Sequence, residues 1–294
     1  MTSIKVITDS TCDLDRDYLN ALGVDMVPMA VSFGDETYYD RVTISPSEFY
    51  AKLKKSPVLP KTAQIPPSDF ARQFRQAIAQ GYAVLCICFS SKLSGTYQSA
   101  CVARDTVDPE RITVVDSKAA SVGEGLIVKE AAVMAREGAS MERIVERVTF
   151  MRDHMEHIFA VGSLEMLKKG GRISPAAAAV GTILNVHPIL QFEDGAIVPL
   201  DKVRGKKGIL NKMLEVMEER GENLSSQVIG LNHADNVELC MSLKQAIEER
   251  FGTKHFLISQ IGATIGSHVG PGTVSVFFLR SPKNKRAMGG RSLQ

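Results

Sequence analysis

Tryptophan is absent from this chain, and cysteine is sparse: Cys12, Cys86, Cys88, Cys101 and Cys240 are an odd, scattered set. They form no CxxC pair and have no histidine at zinc-finger spacing, which argues against a disulfide framework and a structural metal. Cys86 and Cys88 lie two apart on a predicted strand, where small core hydrophobes are the expected reading. No stretch approaches the 18 apolar residues of a membrane-crossing helix. The opening MTSIKVITDS has only a short apolar stretch ending in Asp, unlike a signal peptide. Charge of one sign is lacking too: 35 Lys and Arg oppose 33 Asp and Glu, a net +2, which argues against phosphate-driven nucleic-acid binding as the main role. Carboxylates are not paired at metal spacing, and His154 and His157, three apart on a predicted helix, have no acidic or cysteine company. GxSxG, SxxK, GxGxxG and the P-loop are all missing, so no catalytic residue, metal or cofactor is expected. A soluble cytoplasmic protein with reduced thiols fits these absences.

What is present is a repeated grammar. With 294 residues and 44% apolar content, two domains are expected. IKVITDS, AVLCICFSS and ITVVDS are each a β-branched run with a polar end, followed by a helical pattern. That alternation predicts βα units and a parallel sheet. Between the first two units, Pro57, Pro60, Pro66 and Pro67 forbid regular helix over 57–67, and Ser68 or Asp69 is expected to cap the helix DFARQFRQAIAQG. FEDGAIV carries the Asp-Gly of a tight hairpin, so the second half reads as α+β with a largely antiparallel sheet under helices. The expected division is an N-terminal α/β domain over 1–155 with an inserted loop region at about 27–67, a C-terminal α+β domain over 156–282, and a polar tail at 283–294.

In open parallel sheets ligands gather outside the carboxyl ends of the strands, where Thr8, Asp9, Ser10, Ser90, Ser91, Asp116 and Ser117 stand. SSKLSGTYQ adds uncharged donors, and Ser94-Gly95-Thr96 sits where a helix begins, a place that suits an anion. The alternative is that Ser94 only caps its own helix. In GATIGSHVGPG, glycines flank His268 and allow close approach of backbone to a ligand; a structural loop histidine is the competing reading. LKKGGRIS and LDKVRGKKG present Arg172 and Arg204 in turn-like contexts, as a basic surface or simply a solvated one. AAAAVGTILNVHPIL and the 12 Met and 12 Phe suit a hydrocarbon lining, although most such residues are ordinary core.

ITDSTCDL, the Thr62-Ala63-Gln64 loop, SSKLSGTYQSA, VVDS, LEMLKKGGRIS, HPIL and GATIGSHVGPG occur in this order. Together they resemble the DegV family of bacterial lipid-binding proteins, whose members include the fatty-acid-binding subunits of fatty acid kinases. The resemblance implies a two-domain α/β fold with one long-chain fatty acid between the domains. It implies that Thr62, Ser94 and His268 hydrogen-bond the carboxylate, with Gly95, Thr96 and Ser10 nearby. It further implies that a kinase catalytic protein phosphorylates the acyl group, and that Arg172 and Arg204 contact this partner or, transiently, a membrane. Uncharged donors fit such a hand-over, since they avoid the desolvation of a buried ion pair. The competing reading is an enzyme using Ser94 or His268 on an acyl or phosphoryl substrate; a nucleic-acid regulator is the third.

Overall fold

The computed structural model describes residues 3–174 and 185–281. The small-residue run of AAAAVGT and the expected C-terminal tail lie outside the described residues.

The first half contains β1 (Ile4–Asp9), α1 (Arg16–Leu22), β2 (Asp25–Val27), β3 (Ala30–Phe33), β4 (Glu36–Tyr39) and α2 (Pro46–Lys55). It continues through β5 (Lys61–Ala63), α3 (Pro67–Ala79), β6 (Ala83–Cys88), α4 (Thr96–Val107), β7 (Ile112–Asp116), α5 (Ser121–Arg136) and α6 (Met141–His154). Strands β2-β1-β6-β7 form a four-stranded sheet, and each of its pairings is parallel. The run AVLCIC is buried almost throughout, as a parallel strand covered on both faces must be. Strands β4-β3-β5 make a separate antiparallel sheet.

The second half contains β8 (Met155–Ala160), α7 (Glu165–Lys169), β9 (Val186–Glu193), β10 (Ala196–Arg204) and α8 (Gly205–Arg220). It closes with β11 (Val228–His233), α9 (Val237–Phe251), β12 (His255–Gln260), α10 (Ala263–Val269) and β13 (Val274–Leu279). Its six strands are ordered β10-β9-β8-β13-β11-β12. Only the β11–β12 pair is parallel, and α9 makes the crossover between those two strands. The β9–β10 turn places Asp194 and Gly195 at φ 47° and 82°, the two positive values of a tight hairpin turn.

Side-chain alternation divides the second sheet into two faces. Ile158, Leu231, Val274, Val276 and Phe278 meet α8 and α9 residues such as Met213, Met217 and Leu243 in one core. From the opposite face, Phe277 joins Val122 and Leu126 of α5 in a core that reaches the first sheet.

Two local expectations are corrected. Helix α3 begins at Pro67 after Pro66, with Asp69 inside its first turn, rather than at a Ser68 or Asp69 cap. Proline at the first helical position has the required φ and sacrifices no hydrogen bond. His154 and His157 do not share a helix: α6 ends at His154, whereas His157 belongs to β8. There, cross-strand pairing to β13 and β9 on both sides outweighs helical periodicity.

A buried polar hub joins the two sheets. Asp13 and Arg41, with side chains 0% and 3% exposed, form an ion pair at 3.3 Å. Asp13 Oδ1 accepts from the amide of Gly262 at 2.7 Å, while Arg41 donates to Asp15 at 2.6 Å and to the carbonyl of Gln260 at 2.5 Å. Asp40 accepts from the amides of Ala263 and Thr264, both at 2.9 Å, so the first half of the chain caps α10 of the second. A Cβ on Gly262 would lie 2.8 Å from carboxylate oxygens of both Asp13 and Asp40; the glycine is required by this close approach. Burial pushes the Asp13 carboxyl up to about 6 despite the opposing pull of Arg41, which leaves it largely ionised at neutral pH.

Replacing Arg41 leaves that charge buried without its counter-ion, a change that ordinarily costs about 3–5 kcal/mol. Arg41→Met is therefore expected to lower the urea midpoint strongly with a nearly unchanged m-value. A midpoint within error of the parent protein would show that the hub is not a major constraint.

Candidate functional site

SSKLSGTYQ divides into structural and cavity-facing hydroxyls. Ser90 Oγ donates to the carbonyl of Gly195 at 2.7 Å, and Ser91 Oγ donates to Asp116 at 2.5 Å. Helix α4 starts at Thr96 behind Gly95, which has no side chain to cap it. Ser94 supplies the bracing: its Oγ accepts from the Thr96 amide at 3.2 Å and shares a 2.9 Å hydrogen bond with Thr96 Oγ1. Ser94 thus supports the helix start while lining a cavity of about 270 Å³.

Thr62 and His268 reach the same cavity from different elements. Thr62 lies on β5, opposite Val31 of β3, and its Oγ1 is 2.9 Å from His268 Nε2. His268 occupies the last turn of α10, the helix whose opposite end Asp40 holds. A Cβ on Gly170 would stand 2.3 Å from His268 Nδ1, so only glycine at that position leaves room for the ring. The Gly-Gly pair of LKKGGRIS, which follows the end of α7, therefore also makes space beside the site.

The other predicted positions are distributed unevenly. Gly95 lines the cavity. Thr96 is fully buried one layer behind it, held by Ser94 and, at 3.5 Å, by the amide of Ile65. Ser10 is fully buried and absent from the cavity wall. Its Oγ accepts from the amide of Met29 at 3.0 Å. Arg204 is exposed at the end of β10. Arg172, expected on the surface, turns inward and lines the cavity: its guanidinium donates to the carbonyls of Leu93 and Gly170. The cage is consequently not wholly uncharged. Sequence reading missed the apolar wall, which includes Leu93, Phe159, Leu167, Phe192, Ile261 and Val269. Phe159 and Phe192 lie on strands and the others on helices or loops, and nothing in their local sequence distinguished cavity from core. Among the described residues, no group of His, Cys, Asp and Glu is placed to hold a metal, and no helix is long and apolar enough to cross a membrane.

Burial, reinforced by the positive charge of Arg172, holds the His268 imidazole down at about 4. The ring is neutral at physiological pH and carries one N–H. The Thr62–His268 hydrogen bond uses one of that pair's two protons; the other, together with the Ser94 hydroxyl proton, lets this end of the cavity direct donors at an anion, and the rest can receive an apolar body.

Because the folded value lies below the ordinary 6.5, the contribution of neutral His268 to stability is complete above about pH 6.5 and is lost as pH falls toward 4. An NMR titration is expected to place the imidazole midpoint at least one unit below the ordinary value. Loss of stability between about pH 7 and pH 5 should be smaller in His268→Gln than in the parent. A midpoint near 6.5 would refute the desolvated environment.

The DegV family model matches residues 3–281. The DegV domain-containing protein TTE1491 of Caldanaerobacter subterraneus is 38% identical over 278 residues, covering 95% of this chain and 99% of that one. Among solved structures, a DegV family protein from Thermus thermophilus, studied for fatty acid binding, superposes with a TM-score of 0.87. It is 33% identical and covers 95% of this chain and 100% of that one. DegV of Bacillus subtilis, a fatty acid binding protein, gives a TM-score of 0.85 at 30% identity, with 96% and 100% covered. A match along nearly the whole chain in sequence and in fold establishes that this chain belongs to the DegV family.

Proposed function

We propose that this protein is a non-catalytic carrier that buries one long-chain fatty acid between its two halves, with the carboxylate among Thr62, Ser94 and His268. The observation that carries this reading is the cavity itself: three uncharged donors from three separate elements line it together with an extensive apolar wall. Arg172, on the same wall, adds a positive potential that favours an anion. The fatty acid binding of the Thermus and Bacillus relatives supports the same reading.

The finer proposal is presentation to a kinase. With most of the binding supplied by neutral donors, one carboxylate oxygen can be surrendered to a phosphoryl donor held by another protein, forming the acyl phosphate. Arg204 and the neighbouring exposed Lys202, Lys206 and Lys207 supply a basic surface for that partner or for transient membrane contact. An enzymatic role for Ser94 is less well supported: its recorded partners are the hydroxyl and amide of Thr96, and neither is a base that could activate a nucleophile.

The test is mass spectrometry of the purified protein, first native and then after solvent extraction. About one fatty acid per chain is expected, and Ser94→Ala and His268→Gln should each lower its retention roughly tenfold, in the range of lost hydrogen bonds to a charged group. Full retention in both variants would defeat the carboxylate assignment. A protein that arrives empty and takes up no added fatty acid would defeat the carrier reading. Acyl phosphate should form only when a kinase is added; turnover by this chain with ATP alone would instead support an enzyme.

A further inference from the structure

A second set of polar side chains lines the cavity, and the orientation of one of them follows from the hub. Asp13 receives the Gly262 amide and the Arg41 guanidinium on Oδ1. The Ser121 hydroxyl donates to its Oδ2. Having used its only proton there, Ser121 Oγ acts as the acceptor for Asn232 Nδ2. The Asn232 amide is therefore fixed, with its carbonyl Oδ1 turned away from Ser121. Asn232 is fully buried on β11, opposite Ser275 of β13. Its Oδ1 has no hydrogen-bond partner among the described residues, and the same is true of Thr264 Oγ1.

Asn232 and Thr264 both line the cavity that contains His268. Thr264 is 2% exposed; its backbone amide is held by Asp40, and its hydroxyl has no partner among the described residues. Thr264 and His268 are four residues apart on α10 and hence on one side of it, separated by about 6 Å along the axis. A chain leaving the His268 end can therefore pass this second group. An amide carbonyl requires a donor, whereas a threonine hydroxyl can donate or accept. A plain hydrocarbon offers neither, and a ketone offers nothing to Oδ1. A hydroxyl supplies both functions, and burial makes leaving such atoms unpaired costly.

We propose that Asn232 and Thr264 form a second polar station that recognises a hydroxyl group on the acyl chain, making a hydroxylated fatty acid the preferred ligand. The proposal rests on the fatty acid reading above and adds a substrate class to it.

Delipidated full-length protein would be titrated with octadecanoic acid and with its monohydroxylated derivatives at successive chain positions. At least one derivative is expected to bind about fivefold or more tightly than the parent acid, the scale of one added hydrogen bond. Thr264→Val should bring that ratio close to one, while Thr264→Ser should preserve it; Asn232→Leu provides a second check from another strand. If octadecanoic acid binds as well as every hydroxylated derivative, water serves these atoms and the proposal fails, while the fatty acid reading stands. If a preference exists but survives both Thr264→Val and Asn232→Leu, the station is wrongly assigned. If neither class of acid binds, both readings fall.

Discussion

The buried contact of Asp13, Asp40 and Arg41 with residues 259–264 is the constraint on which the rest of the structure depends. These charged side chains come from the first half of the chain, and the amides they hold belong to the N-terminal end of α10. Coulombic attraction alone is a poor reason for such an arrangement, because desolvating two ions costs much of what their pairing returns. The value lies in direction. Two carboxylates and a guanidinium fix one short helix against a sheet, and that helix carries His268 at its other end. The position of His268 beside Thr62 thus depends on bonds made between one and two turns away along α10.

The same polar chain divides the cavity chemically. Through Ser121 it orients Asn232, and it holds the Thr264 amide, while the threonine hydroxyl has no partner among the described residues. At the other end, Ser94, Thr62 and His268 provide donors beside the inward-turned Arg172. The surrounding apolar wall lowers the local dielectric and strengthens each of these polar contacts. Burial also explains why His268 loses its charge more readily than a solvent-exposed histidine.

A second buried carboxyl pair holds the exit of the first strand. Thr11 has one hydroxyl proton and lies within reach of both Asp9, at 2.5 Å, and Glu124, at 2.9 Å. It can donate to only one of them. Burial raises both carboxyls, Glu124 well above its ordinary range, and a proton held by either one would let the Thr11 hydroxyl bond both. The cluster keeps the polar end of β1 in place and explains why so many hydroxyls stand there without touching the cavity.

Much of the fold was legible in local sequence. Continuous apolar runs marked the parallel strands, Asp194-Gly195 marked the hairpin, and the prolines marked the break before α3. Ser94, Gly95, Thr62 and His268 were legible as polar or glycine-rich breaks beside strands and helices, although only their likeness to a family placed them in one site. Ser10 lies off the cavity wall, where its hydroxyl accepts from the amide of Met29, a contact that local sequence does not show. Arg172 is partly buried and lines the cavity, a placement local sequence leaves open because a glycine turn can direct a long side chain inward or outward. By itself the sequence determined periodicity, turn chemistry and the inventory of donors, since those depend on neighbours within a few residues. Tertiary structure alone decided which donors meet, which atoms remain unpaired and where apolar wall becomes cavity, because each depends on contacts between segments up to 249 residues apart.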